Sequence, residues 1–325
     1  MRVTRHDARI GGRPGGRALA IAIALLLPVA ALAKRPKVED LVKAAARGDK
    51  AQVQELLIRG LDVNAALDFD KTAINEAAYN GHLDLVKYLL DHGAKVNQRN
   101  AQYSTPLHRA ADKGYIDVVR LLLERGASLK AWSHWYGTPL MAAAQSGHDN
   151  IVKLLLERGA RPGRKTPEGW TVLHIAAKRG SSDVIALLVE AGAKVEQKTQ
   201  EGLTSLMLAV EHNHAETVSA LVAAGANPNR KGLLGLTVLH SAASANRVEV
   251  VAALVTAPGI ELDPRDKSRY TPLILAAYLG HLEVVRLLVE AGADTRRRGG
   301  PGRKTALQLA EGEEHTRVVE FLKGR

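Results

Sequence analysis

A segment of 33 residues recurs along the chain, and this repetition restricts the fold more than any other feature. The most recognisable part of one copy runs from Ser104 to Ala127, STPLHRAADKGYIDVVRLLLERGA. A fixed period of this length predicts a stack of small units, because each unit can bury its apolar face only against its neighbours. The threonine of the motif recurs with spacings of 33 residues, and of 34 for the last two, at Thr72, Thr105, Thr138, Thr171, Thr204, Thr237, Thr271 and Thr305.

Each copy carries start and stop signals for two helices. Thr105 can cap a helix N-terminus, and Pro106 suits the first turn because its missing N–H has no partner there. Ala110–Ala111 would let a neighbouring helix approach closely, and Gly114 ends the helix. A second, more apolar helix, IDVVRLLLE, follows and stops at Gly126. The polar, glycine-rich stretch before the next threonine predicts a protruding loop or short hairpin, called a finger below.

This pattern resembles the ankyrin repeat, and the resemblance covers Val38 to Lys323. It implies an all-α repeat solenoid of helix-turn-helix units with protruding hairpin fingers, with an N-terminal cap unit followed by eight units. Asparagine or glutamate replaces the first glycine at Asn213, Asn246 and Glu314, and asparagine tolerates the same backbone region. The motif takes the forms TPLH at Thr105, TPLM at Thr138, TVLH at Thr171 and Thr237, and TPLI at Thr271.

The N-terminal region predicts a signal peptide. A basic run ending at Arg17 precedes the apolar segment Ala18–Leu27, and Ala31 and Ala33 form a small-residue cleavage pattern. A membrane span needs about 20 apolar residues, and this stretch is shorter and contains a proline. Export to a bacterial periplasm, or secretion, is therefore expected, with an inner-membrane anchor as the alternative. The expected division is signal peptide 1–33, short linker 34–37 and ankyrin repeat domain 38–325.

Composition excludes some kinds of site. The chain has a net charge of +11 and no cysteine. Disulfides, thiolate metal sites and cysteine nucleophiles are therefore excluded. The segment GPGRKT at Gly300–Thr305 lacks the glycine that directly precedes Lys-Thr in a phosphate-binding loop. We predict no catalytic residue, no cofactor and no metal site.

The twelve histidines suggest a metal or catalytic site, but their register favours structural roles. His212 and His214 are two residues apart, so on a helix they would point in different directions and make poor joint ligands. Two positions of the ankyrin motif carry structural histidines in the family. They are the fourth residue of the motif, at His108, His174 and His240, and the residue after the inter-helix turn, at His82, His148, His214 and His281.

The resemblance also implies where a partner binds. In the family, partners usually contact the finger tips and the exposed side of the first helix, on the concave face. All three tryptophans fall in fingers, and exposed aromatic residues are favoured interface anchors. The alternative is that the rings fold back onto the first helices and stiffen the fingers. The predicted partner-binding residues are Phe69, Tyr79, Tyr103, Trp132, His134, Trp135, Tyr136, Gln145, Trp170, Lys178 and Arg179.

The C-terminal fingers carry a basic edge. It could meet an acidic protein, anionic lipid headgroups or nucleic acid, or could simply be solvated. A weak electrostatic contact with an anionic envelope surface, screened by salt, is also expected of a basic chain. The lack of interleaved aromatic residues and the export signal disfavour nucleic acid. The basic edge consists of Lys194, Lys198, Arg230, Lys231, Arg265, Lys267, Arg269, Arg296, Arg297, Arg298, Arg303 and Lys304.

Together these features predict an exported, monomeric, non-enzymatic scaffold that docks a protein partner of unknown identity and has no membrane span in its mature form. Inhibition, protection or assembly of an envelope enzyme would be its role. One alternative is a membrane-associated structural scaffold, held by an uncleaved N-terminal helix and the basic edge. The other is an enzyme or small-molecule binder with a site between fingers.

Overall fold

The computed structural model describes residues 35–325, so the predicted signal peptide and cleavage site lie outside the described residues. The segment from Val38 to Arg325 forms one compact unit. Within the described residues, 18 helices follow one another in nine pairs. They are α1 (Val38–Arg47), α2 (Lys50–Ile58), α3 (Ala73–Tyr79), α4 (Leu83–Asp91), α5 (Pro106–Lys113), α6 (Ile116–Glu124), α7 (Pro139–Gln145), α8 (Asp149–Glu157), α9 (Val172–Arg179), α10 (Ser182–Glu190), α11 (Ser205–Glu211), α12 (Ala215–Ala223), α13 (Val238–Ser244), α14 (Val248–Val255), α15 (Pro272–Tyr278), α16 (Leu282–Glu290), α17 (Ala306–Gly312) and α18 (Thr316–Lys323).

The predicted all-α repeat solenoid is confirmed. The first helix of each pair packs against the first helices of adjacent pairs, and from α4 onward the second helices pack in the same way. Buried leucine, valine, isoleucine and alanine side chains form one continuous cluster from Leu41 to Leu322. Ala110 and Ala111 are completely buried, which allows the close approach of neighbouring first helices. None of the helices within residues 35–325 is both long and apolar enough to cross a membrane.

The repeated threonines begin the first helices, as predicted. Thr138 accepts a hydrogen bond from the backbone N–H of Met141 at 3.3 Å, and Pro139 fills the first turn. Thr105 and His108 form a capping box, in which each side chain bonds the other residue's backbone. These contacts satisfy amide groups that the first turn of a helix leaves without intrahelical partners.

The left-handed backbone conformation at the end of a first helix is kept even where another residue replaces glycine. Gly114 has a φ of 83°, and Asn213, Asn246 and Glu314 have φ values of 61°, 54° and 59°. The register of the repeat therefore holds through these three substitutions.

A row of histidines links adjacent units at the turns between helices. In each, the ring Nε2 lies 2.9 to 3.1 Å from a backbone carbonyl oxygen of the preceding unit. The structural role predicted for the second histidine position is therefore confirmed. The pairs are His82 with Ala46, His148 with Asp112, His214 with Lys178, His281 with Ser244, and His315 with Tyr278.

The fingers are turns with little regular sheet. In the finger before α3, strands β1 (Ala66–Leu67) and β2 (Lys71–Thr72) pair antiparallel, with Ala66 opposite Thr72. Single bridges join Ser133 to Gly137 and Gly299 to Lys304. Backbone hydrogen bonds also connect neighbouring fingers, for example from Ala101 N–H to the Phe69 carbonyl at 2.9 Å. Such cross-links fix the position of one finger tip relative to the next.

Candidate functional site

The predicted finger aromatics divide into exposed and packed rings. Phe69, Tyr103 and Trp135 are 69%, 47% and 73% exposed. In contrast, Trp132, Tyr136 and Trp170 pack in part against the core. The fold-back arrangement considered for the finger aromatics therefore describes the second group, whereas the rings of the first group are exposed to solvent at finger tips.

The packed rings of the finger before α7 are held by polar contacts. The Arg164 guanidinium lies 4.5 Å from the centre of the Trp132 ring. The Tyr136 hydroxyl donates a hydrogen bond to Asp112 at 3.2 Å. Burial, with the Asp112 carboxylate beside it, raises the pKa of Tyr136 above its ordinary value. Both residues therefore brace this finger against its neighbours.

The exposed rings of adjacent fingers also touch. Tyr103 meets the His134 imidazole edge to face, with ring centres 4.7 Å apart. A backbone bond from His134 to the Gln102 carbonyl and a hydroxyl contact of 2.7 Å between Ser104 and Ser133 hold the two fingers together. This group is separate from Tyr79, which has a different set of contacts.

Tyr79, at the end of α3, is covered by cations. The Arg109 guanidinium lies 3.7 Å and the Lys113 ammonium 4.7 Å from the ring centre. Arg109 also pairs with Glu76 at 3.3 Å, and both of these side chains are mostly buried. Tyr79 is thus part of a packed cation–π arrangement on the first-helix face.

Four predicted residues meet in one cleft of about 340 Å³, which we call the Trp170 cleft. Trp170 forms one wall, and the Lys178 ammonium lies 5.3 Å from its ring centre. Arg179 is exposed and makes no ion pair within the described part of the chain. The hydroxyl of Thr166 bonds the Glu168 carboxylate and lowers its pKa. The cleft is lined by Gln145, Thr166, Glu168, Trp170, Ile175, Lys178 and Arg179.

The Trp170 cleft combines an aromatic wall with two cations on a rigid helix. Lys178 and Arg179 stand on the last turn of α9, whose start is fixed by the capping box of Thr171 and His174. An aromatic surface beside cationic groups suits a peptide segment that carries an apolar and an acidic side chain. The other predicted residues lie in other fingers, or in α3 for Tyr79, and do not line this cleft.

A second cleft, of about 270 Å³, contains none of the predicted partner-binding residues. The Arg247 guanidinium is part of its lining and donates to the carbonyl of Val210 at 2.5 Å and to that of Glu211. Leu233 projects beside it and is 85% exposed. The sequence signal was the run LLGL from Leu233 to Leu236 in an otherwise polar finger. Its lining residues include Leu203, Met207, Val210, Leu233, Leu236 and Val238.

The histidines of the fourth motif position have structural roles, as predicted. Nδ1 of the buried His108 accepts from Thr105 N–H at 3.2 Å, and its Nε2 lies 3.0 Å from the Gly137 carbonyl. Burial lowers the pKa of His108 to about 4. It also lowers the pKa values of His174 and His240.

The prediction for His212 and His214 needs correction. The two do not share a helix, because α11 ends at Glu211, with His212 as its C-cap, and α12 begins after His214, with the left-handed Asn213 between them. Their rings therefore lie nearly parallel, with centres 6.3 Å apart. Each ring bonds a separate backbone carbonyl, of Leu208 and of Lys178. Residues 35–325 contain no group of three or more histidine, aspartate or glutamate side chains that could hold a metal ion.

The comparison with known families agrees with the geometry. A family model described as ankyrin repeats, in three copies, matches residues 41–132, 140–232, 186–268, 206–299 and 259–324. No curated protein matches the chain. Ankyrin repeats are generally protein–protein interaction modules, and proteins built from them are typically non-enzymatic scaffolds. With nearly all of the helical stack matched, the chain belongs to the ankyrin repeat family.

Proposed function

We propose that this protein is an exported, non-enzymatic scaffold that docks a folded protein partner on its first-helix face. The Trp170 cleft carries the proposal. It brings Gln145, Trp170, Lys178 and Arg179 together on one rigid surface, and neither cation has an ion-pair partner among the described residues. Charged groups left unpaired beside an aromatic wall are available to a ligand.

The N-terminal residues support the proposed compartment. The basic run to Arg17, the short apolar segment and the Ala31 and Ala33 pattern support cleavage near Lys34 and export to a bacterial periplasm. In that compartment a monomeric docking scaffold could inhibit, protect or help assemble an envelope enzyme. The fold supports each of these roles equally, since function resides in the partner surface.

The proposal predicts that changes in the cleft weaken capture of a partner. The full chain, crosslinked in envelope extracts and analysed by mass spectrometry, should enrich at least one protein that a Lys178→Ala/Arg179→Ala bait loses. We expect the affinity for that protein to fall about 10- to 100-fold, as when anchor residues of an interface are truncated. Both side chains are exposed, so this variant should keep the wild-type unfolding midpoint.

Two further baits test the aromatic anchors and provide a control. Trp135→Ala/Trp170→Ala removes both predicted aromatic anchors, and its unfolding midpoint must be measured because Trp170 packs partly on the core. Lys153→Ala removes an exposed cation from a second helix and should capture the same proteins as wild type. Identical capture by all four baits would contradict docking at the Trp170 cleft.

A further inference from the structure

Two leucines stand exposed at the tip of the finger before α13, and we call them the leucine tip. Leu233 and Leu234 are 85% and 63% exposed, in a short 3-10 turn that ends at Gly235. Leu234 has a φ of 56°, in the left-handed region that bulky side chains rarely adopt. A strained backbone that presents apolar side chains to water does not help the core, and such outliers are found at functional sites.

Backbone hydrogen bonds connect the leucine tip to the next finger, and that finger to the one after it. The Lys267 N–H donates to the Leu234 carbonyl at 2.9 Å. One finger further on, the Gly300 N–H donates to the Ser268 carbonyl at 3.1 Å. The three finger tips therefore form one connected surface.

The two following fingers carry cations that have no ion-pair partner within the described residues. Part of the basic edge is neutralised, because Arg230 pairs with Glu196 and because Arg296 and Arg297 pair with Asp294. Of the acidic groups near the tip, Asp266 accepts the Tyr270 N–H at 2.7 Å, and the exposed Glu201 lines the cleft on the other side of Leu233. Five exposed cations make no ion pair within residues 35–325, and they are Lys267, Arg269, Arg298, Arg303 and Lys304.

From this arrangement we infer that the leucine tip and these five cations form a docking surface for anionic lipid headgroups. Leu233 and Leu234 enter the boundary between headgroups and acyl chains, and the cations contact lipid phosphates. Apolar insertion and charge attraction act together at such surfaces, and neither alone gives firm binding. A nucleic acid would require exposed rings for base stacking. In these three fingers the exposed large apolar side chains are Leu233 and Leu234, and the Tyr270 ring packs in part against the core. The surface shares no residue with the Trp170 cleft, so it is independent of the proposed partner site.

Phe69 provides a matched control elsewhere in the chain. Like Leu234, it lies three residues before a motif threonine, has a φ of 62°, and its carbonyl accepts a backbone N–H of the next finger at 2.9 Å. It is 69% exposed, but Asp68 and Asp70 flank it. Phe69 therefore reproduces the strained, exposed apolar tip in an acidic setting.

The absence of cysteine makes a local probe possible. Leu234→Cys and Phe69→Cys are each labelled with an environment-sensitive fluorophore in the full chain, then mixed with vesicles of phosphatidylcholine or of phosphatidylcholine with phosphatidylglycerol. We expect the label at position 234 to report an apolar environment only with the anionic vesicles, and the label at position 69 to remain in water. A local probe is needed because the apolar segment Ala18–Leu27 could itself bring the full chain to vesicles.

Charge variants separate insertion from simple attraction. Lys267→Glu/Arg269→Glu, in the Leu234→Cys background, should weaken the vesicle-dependent signal about tenfold, and added salt should do the same to the unaltered surface. The inference is overturned if the label at position 234 does not respond to anionic vesicles, or if the label at position 69 responds equally. Binding of soluble poly-glutamate without a response to vesicles would instead assign the surface to acidic proteins.

Discussion

Replacing Gly114 by alanine should lower the free energy of unfolding by about 3 kcal/mol. The left-handed backbone at this position costs a residue with a Cβ roughly 1–2 kcal/mol. In addition, a Cβ here would lie 2.6 Å from Cε1 of His148, a distance that real Cβ contacts do not reach. His148 would have to move, and its hydrogen bond of 3.0 Å to the Asp112 carbonyl would be lost, at a cost of about 1 kcal/mol.

Gly147 is the matched control for Gly114. It occupies the same position in the next unit, with a φ of 75°, but a Cβ there would meet nothing within 4 Å. The reason is visible in the sequence, since Ser181 replaces the histidine that would cover it. Gly147→Ala should therefore lose only the backbone part, about 1–2 kcal/mol.

Urea unfolding of the two variants measures the difference, because the midpoint falls in proportion to the lost stability when the slope is unchanged. A larger loss for Gly114→Ala confirms that the histidine row depends on the absence of a side chain beneath it. Equal losses would show that the imidazole can move aside without cost and that the contact between units is not tight.

The features that repeat were predictable from the sequence. Thr105 and Gly114 act through local backbone chemistry, so their roles depend on residues close to them in sequence. The pairing of His108 with Thr105 is equally local, at a spacing of three residues. The helix pairs and the register that places candidate residues on first helices and fingers follow from these positions.

The features specific to one unit were harder to predict from the sequence. Membership of a finger does not decide whether a ring is free, because Trp132 is covered by Arg164 from the following finger. The stacking of His212 and His214 depends on the turn at the left-handed Asn213, although the glycine position that Asn213 fills was visible in the repeat. The leucine tip was visible only as an apolar run, and its significance comes from the cations that neighbouring fingers place beside it.

Acid should destabilise the protein through its buried histidines. When the protein is folded, burial favours the neutral ring and lowers the pKa of His108 from 6.5 to about 4. The unfolded chain therefore binds a proton at a higher pH than the folded chain does, so stability falls as the pH falls. The contribution of the neutral His108 ring to the free energy of unfolding is complete above pH 6.5 and is lost progressively between pH 6.5 and about pH 4. This difference in pKa corresponds to about 3 kcal/mol.

The last unit of the chain shows which substitution would test this acid sensitivity. In the last unit Gln308 takes the place of the histidine, accepts the Thr305 N–H at 3.0 Å and does not titrate. His108→Gln should therefore keep an acceptor for Thr105 while its unfolding midpoint becomes less sensitive to acid than that of wild type. His174 and His240 leave some acid sensitivity, because their pKa values are also lowered by burial. If urea midpoints of wild type and His108→Gln fall in parallel from pH 7 to pH 4, proton uptake by His108 is not what destabilises the stack.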